Sequence, residues 1–278
     1  MIAVDLGNTR AKFGFFQSHN HCQEAFPVPD SVLALTSADF ASLTDWLDGI
    51  AAPTTWYITR TGNFPWNDWQ TRLTTFRSCD RFEELVNQEI PILIDVEFPE
   101  KVGIDRLLSV YAASCWKSLP ENGLLFEKNT RILVVDIGTA ITVDLLSGED
   151  YFAGGAILPG LNVVSEALAN ISPRLPKIPV NNLSFAVYPG KNTEEALAAG
   201  IYWGAIGAIR QFHQIVETTL HDAGLPSQVP LFLVGGNAEH LHTGLSLFVK
   251  SENLFLFPNL VLSGIALTVR NRPNIPAA

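Results

Sequence analysis

Two short segments of the chain combine an acidic residue with a glycine turn after an apolar run. The first is IAVDLGNT at residues 2–9, and the second is ILVVDIGTA at residues 132–140. A buried strand that ends in a carboxylate and a tight turn offers backbone N–H groups to a phosphate and oxygen ligands to a cation. The segments therefore predict phosphate-and-cation sites at Asp5 and Asp136. For either one alone, an aspartate that caps an ordinary turn is the plainer interpretation.

The two segments lie roughly half a chain apart, and an alternating apolar strand follows each of them. A motif that recurs in each half of a chain indicates a duplicated domain. We therefore expect two similar domains, residues 1–120 and 121–278, that face each other across a cleft. Each would offer an aspartate and a glycine turn to one polyphosphate. The polar, turn-rich segment Pro120–Thr130 is the expected linker.

A third candidate is Gly103-Ile104-Asp105-Arg106, which precedes an apolar stripe at helical spacing in residues 107–115. The stripe leaves Asp105 and Arg106 in the first turn of the predicted helix. The helix dipole alone favours an aspartate at this position. The functional interpretation is a proton acceptor beside an anchor for a polar substrate.

The remaining pattern predicts the elements around these candidates. Thr54–Thr59 and Ile90–Phe98 are expected strands, the second interrupted by Pro91, and Pro230–Val234 is the expected last buried strand. Helices are expected at Ser37–Leu47, at Leu161–Ile171 and at Leu260–Arg270, which would close the second domain. Trp66, Trp69 and Leu73 form one face of a further short helix.

The longest helix is expected to begin at Asn192 and to continue to about Leu220. Thr193 and the two glutamates that follow it suit a capped, acidic first turn. Small residues from Ala198 to Ala208 allow close packing, either in the core or against another subunit. Ser172–Gly190 contains four prolines and is expected to be a loop or lid.

Composition narrows the class of protein. The chain has 278 residues, of which 47% are hydrophobic and 17% charged, as in a globular protein with buried cores. Its formal net charge of −10 and its lack of a basic run argue against a nucleic-acid surface. No apolar run is long enough for a membrane span, and Met1 leads directly into the first strand, so a cytoplasmic protein is expected.

Cysteine and histidine usage argues against a structural metal centre. Three cysteines without a C-x-x-C pair suit a reducing compartment. The cluster His19-Asn20-His21-Cys22 could hold a metal, but three donors in one polar turn rarely form a closed site. A solvated hairpin tip is the alternative interpretation.

Several short motifs, each weak evidence alone, are more specific together because they occur in one order along the chain. They are Asp5-Leu6-Gly7-Asn8-Thr9 with Lys12 and Gly14, Gly103-Ile104-Asp105-Arg106, Asp136-Ile137-Gly138-Thr139-Ala140-Ile141-Thr142 with Asp144, Gly154-Gly155-Ala156-Ile157-Leu158-Pro159-Gly160, Leu175-Pro176, Asn192-Thr193 and Gly235-Gly236. The set indicates an α/β protein of the duplicated ribonuclease-H-like architecture shared by actin, sugar kinases and acetate kinase. Within that group the chain resembles the type III pantothenate kinases, from residue 1 to about residue 270.

The resemblance implies phosphorylation of pantothenate by ATP to give ADP and 4′-phosphopantothenate, the first committed step of coenzyme A synthesis. It assigns Asp105 as the general base. It places substrate contacts at Gly103, Ile104, Asp105, Arg106 and Thr193, and phosphate contacts at Asp5, Leu6, Gly7, Asn8, Thr9, Arg10, Ala11, Lys12 and Thr139. It also implies a monovalent cation, K⁺ or NH₄⁺, at Asp136, Mg²⁺ with the ATP near Asp5, and a homodimer whose interface completes the pantothenate pocket.

One position departs from the family pattern. An aromatic or Asn-Pro element, often with a tyrosine that contacts pantothenate, commonly precedes the Gly-x-Asp-Arg turn, whereas this chain reads Val96-Glu97-Phe98-Pro99. Phe98 can line a pocket but cannot donate a hydroxyl hydrogen bond. Two alternatives remain open: a kinase for another small acceptor, and a nucleotide-gated binding or regulatory protein of the same architecture.

Overall fold

The computed structural model describes residues 1–17, 26–122, 126–127, 129–183 and 185–272. The chain divides into two compact units. The first unit comprises Met1–Ile92, Phe98–Leu119 and the chain from Asn259 onward, and the second comprises Leu93–Glu97 and Pro120–Pro258. These units differ from the predicted domain ranges at residues 93–97, at Pro120 and in the chain after residue 258.

The first unit is a five-stranded sheet with helices. Its elements are β1 (Ile2–Leu6), β2 (Ala11–Phe15), β3 (Ser31–Leu35), α1 (Phe40–Leu47), β4 (Thr55–Arg60), α2 (Trp66–Phe76), β5 (Arg81–Glu84), α3 (Ile104–Lys117) and, much later in the chain, α7 (Leu260–Arg270). The strand order is β3-β2-β1-β4-β5. Strands β1, β2 and β3 are antiparallel neighbours, whereas β4 and β5 run parallel to β1.

The second unit repeats this topology. Its elements are β6 (Leu93–Ile94), β7 (Ile132–Ile137), β8 (Ala140–Leu146), β9 (Tyr151–Pro159), α4 (Leu161–Ile171), α5 (Thr193–Asp222), β10 (Leu231–Val234), α6 (Ala238–Leu245) and β11 (Leu254–Phe257). The strand order is β11-β10-β7-β8-β9-β6, so β9-β8-β7-β10-β11 matches β3-β2-β1-β4-β5 of the first unit. The antiparallel and parallel pairings also match. The predicted duplication is therefore confirmed, with β6 as an added edge strand.

The core of the first unit is rich in aromatic side chains. Trp66 and Trp69 on α2 are 1% and 2% exposed, as their helical spacing predicts. The ring of Phe13 in β2 stacks on Trp69 with 6.1 Å between centroids. A network of buried polar groups closes this core at one end, because Asp80 accepts hydrogen bonds from Arg77 and from the indole N–H of Trp56.

The core of the second unit is mainly aliphatic and lies between its sheet and α5. The proline-rich stretch from Ser172 to Gly190 is a loop with one short 3₁₀ turn, as expected. It is anchored to the core, because Ile178, Val180, Leu183 and Ala186 are buried in it. The hydroxyl of Ser165 in α4 donates to the carbonyl oxygen of Ile178 at 2.9 Å and accepts from its N–H at 2.7 Å.

Several predicted elements need correction. The strand expected at Ile90–Phe98 is only β6, because Pro91 removes a ladder donor and short turns flank it on both sides. Pro230–Val234 contains β10, whose four residues are all buried, but β10 is not the last strand, since the less buried β11 follows it and pairs with it. Helix α1 begins at Phe40, three residues later than expected.

The final helix has the predicted bounds but belongs to the first unit rather than the second. It packs against α3 and β1, and Gly264 lies against the backbone of Leu108. Helices α3 and α7 are topological equivalents, because each follows the fifth strand of its sheet. None of the helices in the described part of the chain is long and apolar enough to cross a membrane. Cys79 is exposed, Cys115 is partly buried, and neither is in a disulfide, whereas Cys22 and the rest of the His19–Cys22 cluster lie outside the described residues.

Candidate active site

Asp5 is the second-last residue of β1, where the hairpin to β2 begins. It lies opposite Lys12 of β2 on one side and pairs with Thr59 of β4 on the other. Directly opposed residues of an antiparallel pair share one face of the sheet, so the Asp5 carboxylate and the Lys12 ammonium project from the same face. The turn at residues 7–10 is closed by the Gly7 N–H, which donates to the carbonyl oxygen of Arg10 at 3.0 Å. Residues 8–10 are exposed, as a loop that binds an external anion must be.

Asp136 occupies the same position in β7, as its second-last residue. It lies opposite Thr142 of β8 and pairs with Val234 of β10. The Gly138 N–H donates to the carbonyl oxygen of Ala140 at 3.0 Å, so this turn is one residue shorter than the turn at residues 7–10. Thr139 is exposed at the tip of the turn, again in a position to meet a ligand. The two predicted aspartate-glycine turns are therefore structurally equivalent, and they differ in loop length.

Two glycines from distant segments cover the second turn. Gly160, just before α4, donates its N–H to the carbonyl oxygen of Thr139 at 3.1 Å, and a β-carbon on it would collide with the Gly138 and Thr139 carbonyls. Gly235, just after β10, has φ +91°, and a β-carbon there would collide with Asp136 Oδ1 and lie 2.8 Å from the carbonyl oxygen of Ile137. The Gly-Gly and Pro-Gly motifs thus meet at one place, as backbone that packs closely around Asp136.

The first turn has a similar neighbour that the sequence analysis did not single out. Gly62 follows β4, and a β-carbon on it would collide with the backbone of Gly7 and Asn8. The sequence does contain a glycine turn, Thr61-Gly62-Asn63, directly after a predicted strand, which could have marked Gly62 as a candidate. Nothing in the local sequence, however, shows that Gly62 meets Gly7, which lies more than 50 residues earlier.

Asp105 is the second residue of α3, in the first turn as predicted. The Arg106 N–H donates to its Oδ1 at 2.9 Å. Burial raises the pKa of the Asp105 carboxyl above its usual value, although this hydrogen bond and the Arg106 charge act in the opposite direction. Gly103 precedes the helix, and a β-carbon on it would lie 2.6 Å from Asp105 Oδ1. Gly103 therefore leaves the space that the carboxylate occupies.

Thr193 is the first residue of α5 and is exposed, on a different element from Asp136 and Thr139. The helix cap is the preceding residue, Asn192, whose side-chain oxygen accepts from the Glu195 N–H at 2.9 Å. Glu195 in turn accepts a hydrogen bond from the Asn192 side-chain amide at 2.8 Å. Because Asn192 caps the helix, the Thr193 hydroxyl is not needed for that purpose.

Phe98 stands shortly before Gly103 in the first unit and is 48% exposed. The Lys101 ammonium lies 4.1 Å from the centre of its ring, a cation–π contact. The described residues contain no group of three or more His, Cys, Asp or Glu side chains that could enclose a metal ion.

The topology and the two aspartate turns define the class of protein. Two sheets with the same 3-2-1-4-5 strand order, each with an aspartate before its first hairpin, constitute the duplicated ribonuclease-H-like fold of the actin and sugar-kinase type. An activator of 2-hydroxyisocaproyl-CoA dehydratase from Clostridium difficile superposes with a TM-score of 0.50 at 13% identity, covering all of both chains. A Campylobacter jejuni protein described as a Baf family transcriptional activator superposes with a TM-score of 0.58 at 18% identity, over 99% of this chain and all of its own. These likenesses show the fold alone.

The sequence comparisons identify the family. The family model for type III pantothenate kinase matches residues 1–215. A type III pantothenate kinase of Persephonella marina is 27% identical over 266 residues, which are 89% of this chain and 91% of the relative. Those of Legionella pneumophila and Rhodopirellula baltica are 34% and 36% identical over 171 and 148 residues, which are 61% and 50% of this chain and 58% and 48% of the relatives. The chain belongs to the type III pantothenate kinase family.

Proposed function

We propose that the protein transfers the γ-phosphoryl group of ATP to the primary hydroxyl of pantothenate, giving ADP and 4′-phosphopantothenate, the first step of coenzyme A biosynthesis. Family membership supports the reaction. The structural observation that carries it is the partly buried carboxylate of Asp105, beside Arg106 at the start of α3. A carboxylate with a raised pKa is a stronger base than an ordinary aspartate, so it suits proton removal from an alcohol.

Asp105 acts as the general base in this proposal. As the hydroxyl oxygen of pantothenate bonds to the γ-phosphorus, the bond from phosphorus to the β–γ bridging oxygen breaks, and the hydroxyl proton passes to Asp105. Gly103, Ile104 and Arg106 hold the acceptor substrate, and Thr193 adds a second contact. The guanidinium of Arg106 is a fixed cation with several donors, so it can anchor a polar group of the substrate while Asp105 reaches the hydroxyl.

The residues Asp5 to Lys12 bind the ATP phosphates, and Thr139 adds a further phosphate contact. The exposed backbone of residues 8–10 and the Lys12 ammonium supply N–H donors and positive charge. This matters because phosphoryl transfer is accelerated mainly by positioning and by neutralisation of charge.

Two cations complete the proposal. Mg²⁺ accompanies ATP near Asp5, and K⁺ or NH₄⁺ lies at Asp136. The support at Asp136 is chemical, because a carboxylate oxygen is the kind of ligand that hard cations prefer. When bound, the cations neutralise phosphate charge.

The protein is proposed to work as a homodimer in the cytoplasm, with α5 in the interface. Gly200, Gly204 and Gly207 of α5 have open space where a side chain would be. An apolar cavity of about 670 Å³ lies along the same stretch, lined by Trp203 and the exposed Tyr188 among others.

Gly204→Arg would place a charged side chain on this face of α5, so it should convert a dimer to a monomer in light scattering. Gly49→Arg, on the first unit, is the control and should leave the dimer intact.

The reaction is tested by ADP release from the purified protein with ATP and Mg²⁺, with and without pantothenate, in potassium and in sodium buffer. Release that requires pantothenate and falls in sodium supports both the kinase and the cation site. Asp105→Asn should then lower turnover by about 10² or more while nucleotide binding persists. Release without pantothenate would point to another acceptor, and nucleotide binding without any release would point to a gated binding protein.

A further inference from the structure

The carbonyl oxygen of Leu6, the last residue of β1, accepts hydrogen bonds from three donors on one short segment. The N–H groups of Thr61 and Gly62 lie 3.0 and 3.2 Å from it, and the Thr61 hydroxyl lies 3.3 Å away. Leu6 pairs with Arg60 at the end of β4, so Thr61 and Gly62 continue one step beyond the sheet. Three donors on one carbonyl fix the orientation of the peptide that joins Leu6 to Gly7.

Gly62 then covers the next peptide. A β-carbon on Gly62 would lie 2.5 Å from the carbonyl carbon of Gly7 and 2.6 Å from Cα of Asn8, and it would also collide with the Asn8 nitrogen. All three are backbone atoms, which cannot swing aside as a flexible side chain can. The backbone of Gly62 therefore lies against the peptide between Gly7 and Asn8, at the start of the exposed turn.

The second unit has the same arrangement with different residues. Gly235 follows β10, the parallel neighbour of β7, and it closely approaches the Ile137 carbonyl before the second turn. The Asn237 N–H donates to that carbonyl at 3.1 Å. In each unit, the segment after the parallel strand thus covers and hydrogen-bonds the backbone that leads into the aspartate-glycine turn.

We propose that Thr61 and Gly62 are positioning residues for the nucleotide site, which hold the Leu6–Asn8 backbone in the conformation that receives phosphate. This inference rests on the proposed function, because it assumes that the turn at residues 7–10 binds ATP. Neither residue needs to touch the nucleotide. They keep the N–H groups of the turn directed outward before ATP arrives. Less conformational entropy is then lost when ATP binds, so binding is tighter.

The test compares four variants with the wild type in ATP titrations, in steady-state kinetics and in thermal unfolding. Gly62→Ala should weaken ATP binding at least tenfold, and Gly49→Ala is its control, since a β-carbon on Gly49 meets only the Trp46 carbonyl oxygen at 3.9 Å. Thr61→Val removes the hydroxyl donor but keeps the N–H, and it should raise KM for ATP about 2- to 10-fold, the range for one lost hydrogen bond. Thr61→Ser should restore the wild-type value. KM for pantothenate should stay within about twofold in all four variants.

The outcomes separate this inference from the proposed function. If the wild type does not bind ATP, the proposed function fails, and the inference falls with it. If the wild type binds ATP while folded Gly62→Ala and Thr61→Val bind it equally well, the inference alone is overturned, even if both variants melt at lower temperature. If Gly62→Ala does not fold, Thr61→Val and its serine rescue decide the question.

Discussion

The backbone of Gly264 in α7 lies against the backbone of Leu108 in α3, so closely that a β-carbon on Gly264 would collide with the Leu108 carbonyl oxygen. These helices follow the fifth strands of the two sheets, yet both lie in the first unit. Because α3 carries Asp105 in its first turn, the contact with α7 helps to position the proposed general base.

The contact predicts a large effect from one methyl group. Gly264→Ala should lower the free energy of unfolding by about 1–3 kcal/mol, because the helices must separate to admit the β-carbon. Urea unfolding measures the change, and Gly49→Ala should leave the stability within about 0.5 kcal/mol of wild type. Equal stabilities for Gly264→Ala and wild type would show that the helices are not in close contact.

The raised pKa of Asp105 predicts how stability changes with pH. Above the ordinary pKa of an aspartate and below the raised folded-state value, the folded state binds more protons than the unfolded state, so this residue makes stability fall as pH rises. Above the folded-state pKa Asp105 is ionised in both states, so the loss of stability no longer changes with pH. Asp105→Asn removes the ionisable group and therefore this loss of stability. The variant should be at least as stable as wild type at pH 7, and the difference in stability should disappear towards pH 3.

Denaturant unfolding at several pH values measures this difference. Asp68→Asn is a matched control, since Asp68 is also in the first turn of a helix but is exposed. It should lose about 0.3–1 kcal/mol through the helix dipole at neutral pH. A loss of stability at pH 7 for Asp105→Asn would contradict the assigned direction of the pKa shift.

The buried ion pair between Arg77 and Asp80 predicts a strong structural effect. The two side chains are 8% and 0% exposed, and Asp80 also accepts hydrogen bonds from the Trp56 indole and the Thr54 N–H. Asp80→Ala should cost about 3–5 kcal/mol, because it leaves a buried guanidinium without its counter-charge. Glu84→Gln, which breaks the exposed pair with Arg60, should cost at most about 1 kcal/mol in the same unfolding assay.

Ser165 predicts the behaviour of the loop that precedes α5. Its hydroxyl satisfies both the N–H and the carbonyl of Ile178, so Ser165→Ala leaves two buried backbone groups without this partner and should cost about 1–3 kcal/mol. Proteolysis within residues 172–180 should also become faster. Ser172→Ala is the control, because the hydroxyl of Ser172 accepts a longer, solvent-exposed hydrogen bond, 3.3 Å from the Arg174 N–H. Unchanged proteolysis in Ser165→Ala would show that the loop is held by its apolar side chains alone.

The sequence predicted those features that depend on neighbouring residues. The two hairpins with Asp5 and Asp136, the first turn of α3 and the bounds of α7 all follow from local alternation, helical spacing and glycine turns. The loop-length difference between the hairpins was not predicted, because aligning the motifs residue by residue hides an inserted residue. Strand β11 was missed although LFLF is a strand-like run, since four residues give too short a pattern to separate a strand from other buried segments.

Other features depend on contacts between distant parts of the chain. The bracing of Gly7 by Gly62, the approach of Gly235 to Asp136 and the packing of α7 on α3 join residues more than 50 positions apart. Periodicity can show that a helix such as α7 has an apolar face, but it cannot show which sheet covers that face. The site residues named from the sequence, including Thr193 and Lys12, remain predictions about ligand contact.

The position of α7 also constrains how the protein is made on the ribosome. The first unit is begun by Met1–Ile92, but its last helix emerges only after Pro120–Pro258 has been synthesised. At 5–20 residues per second this delay is on the order of ten seconds. During that time α3 lacks the helix that covers Leu108, so the nascent first unit exposes apolar surface, and the second unit has its whole chain before the first unit does.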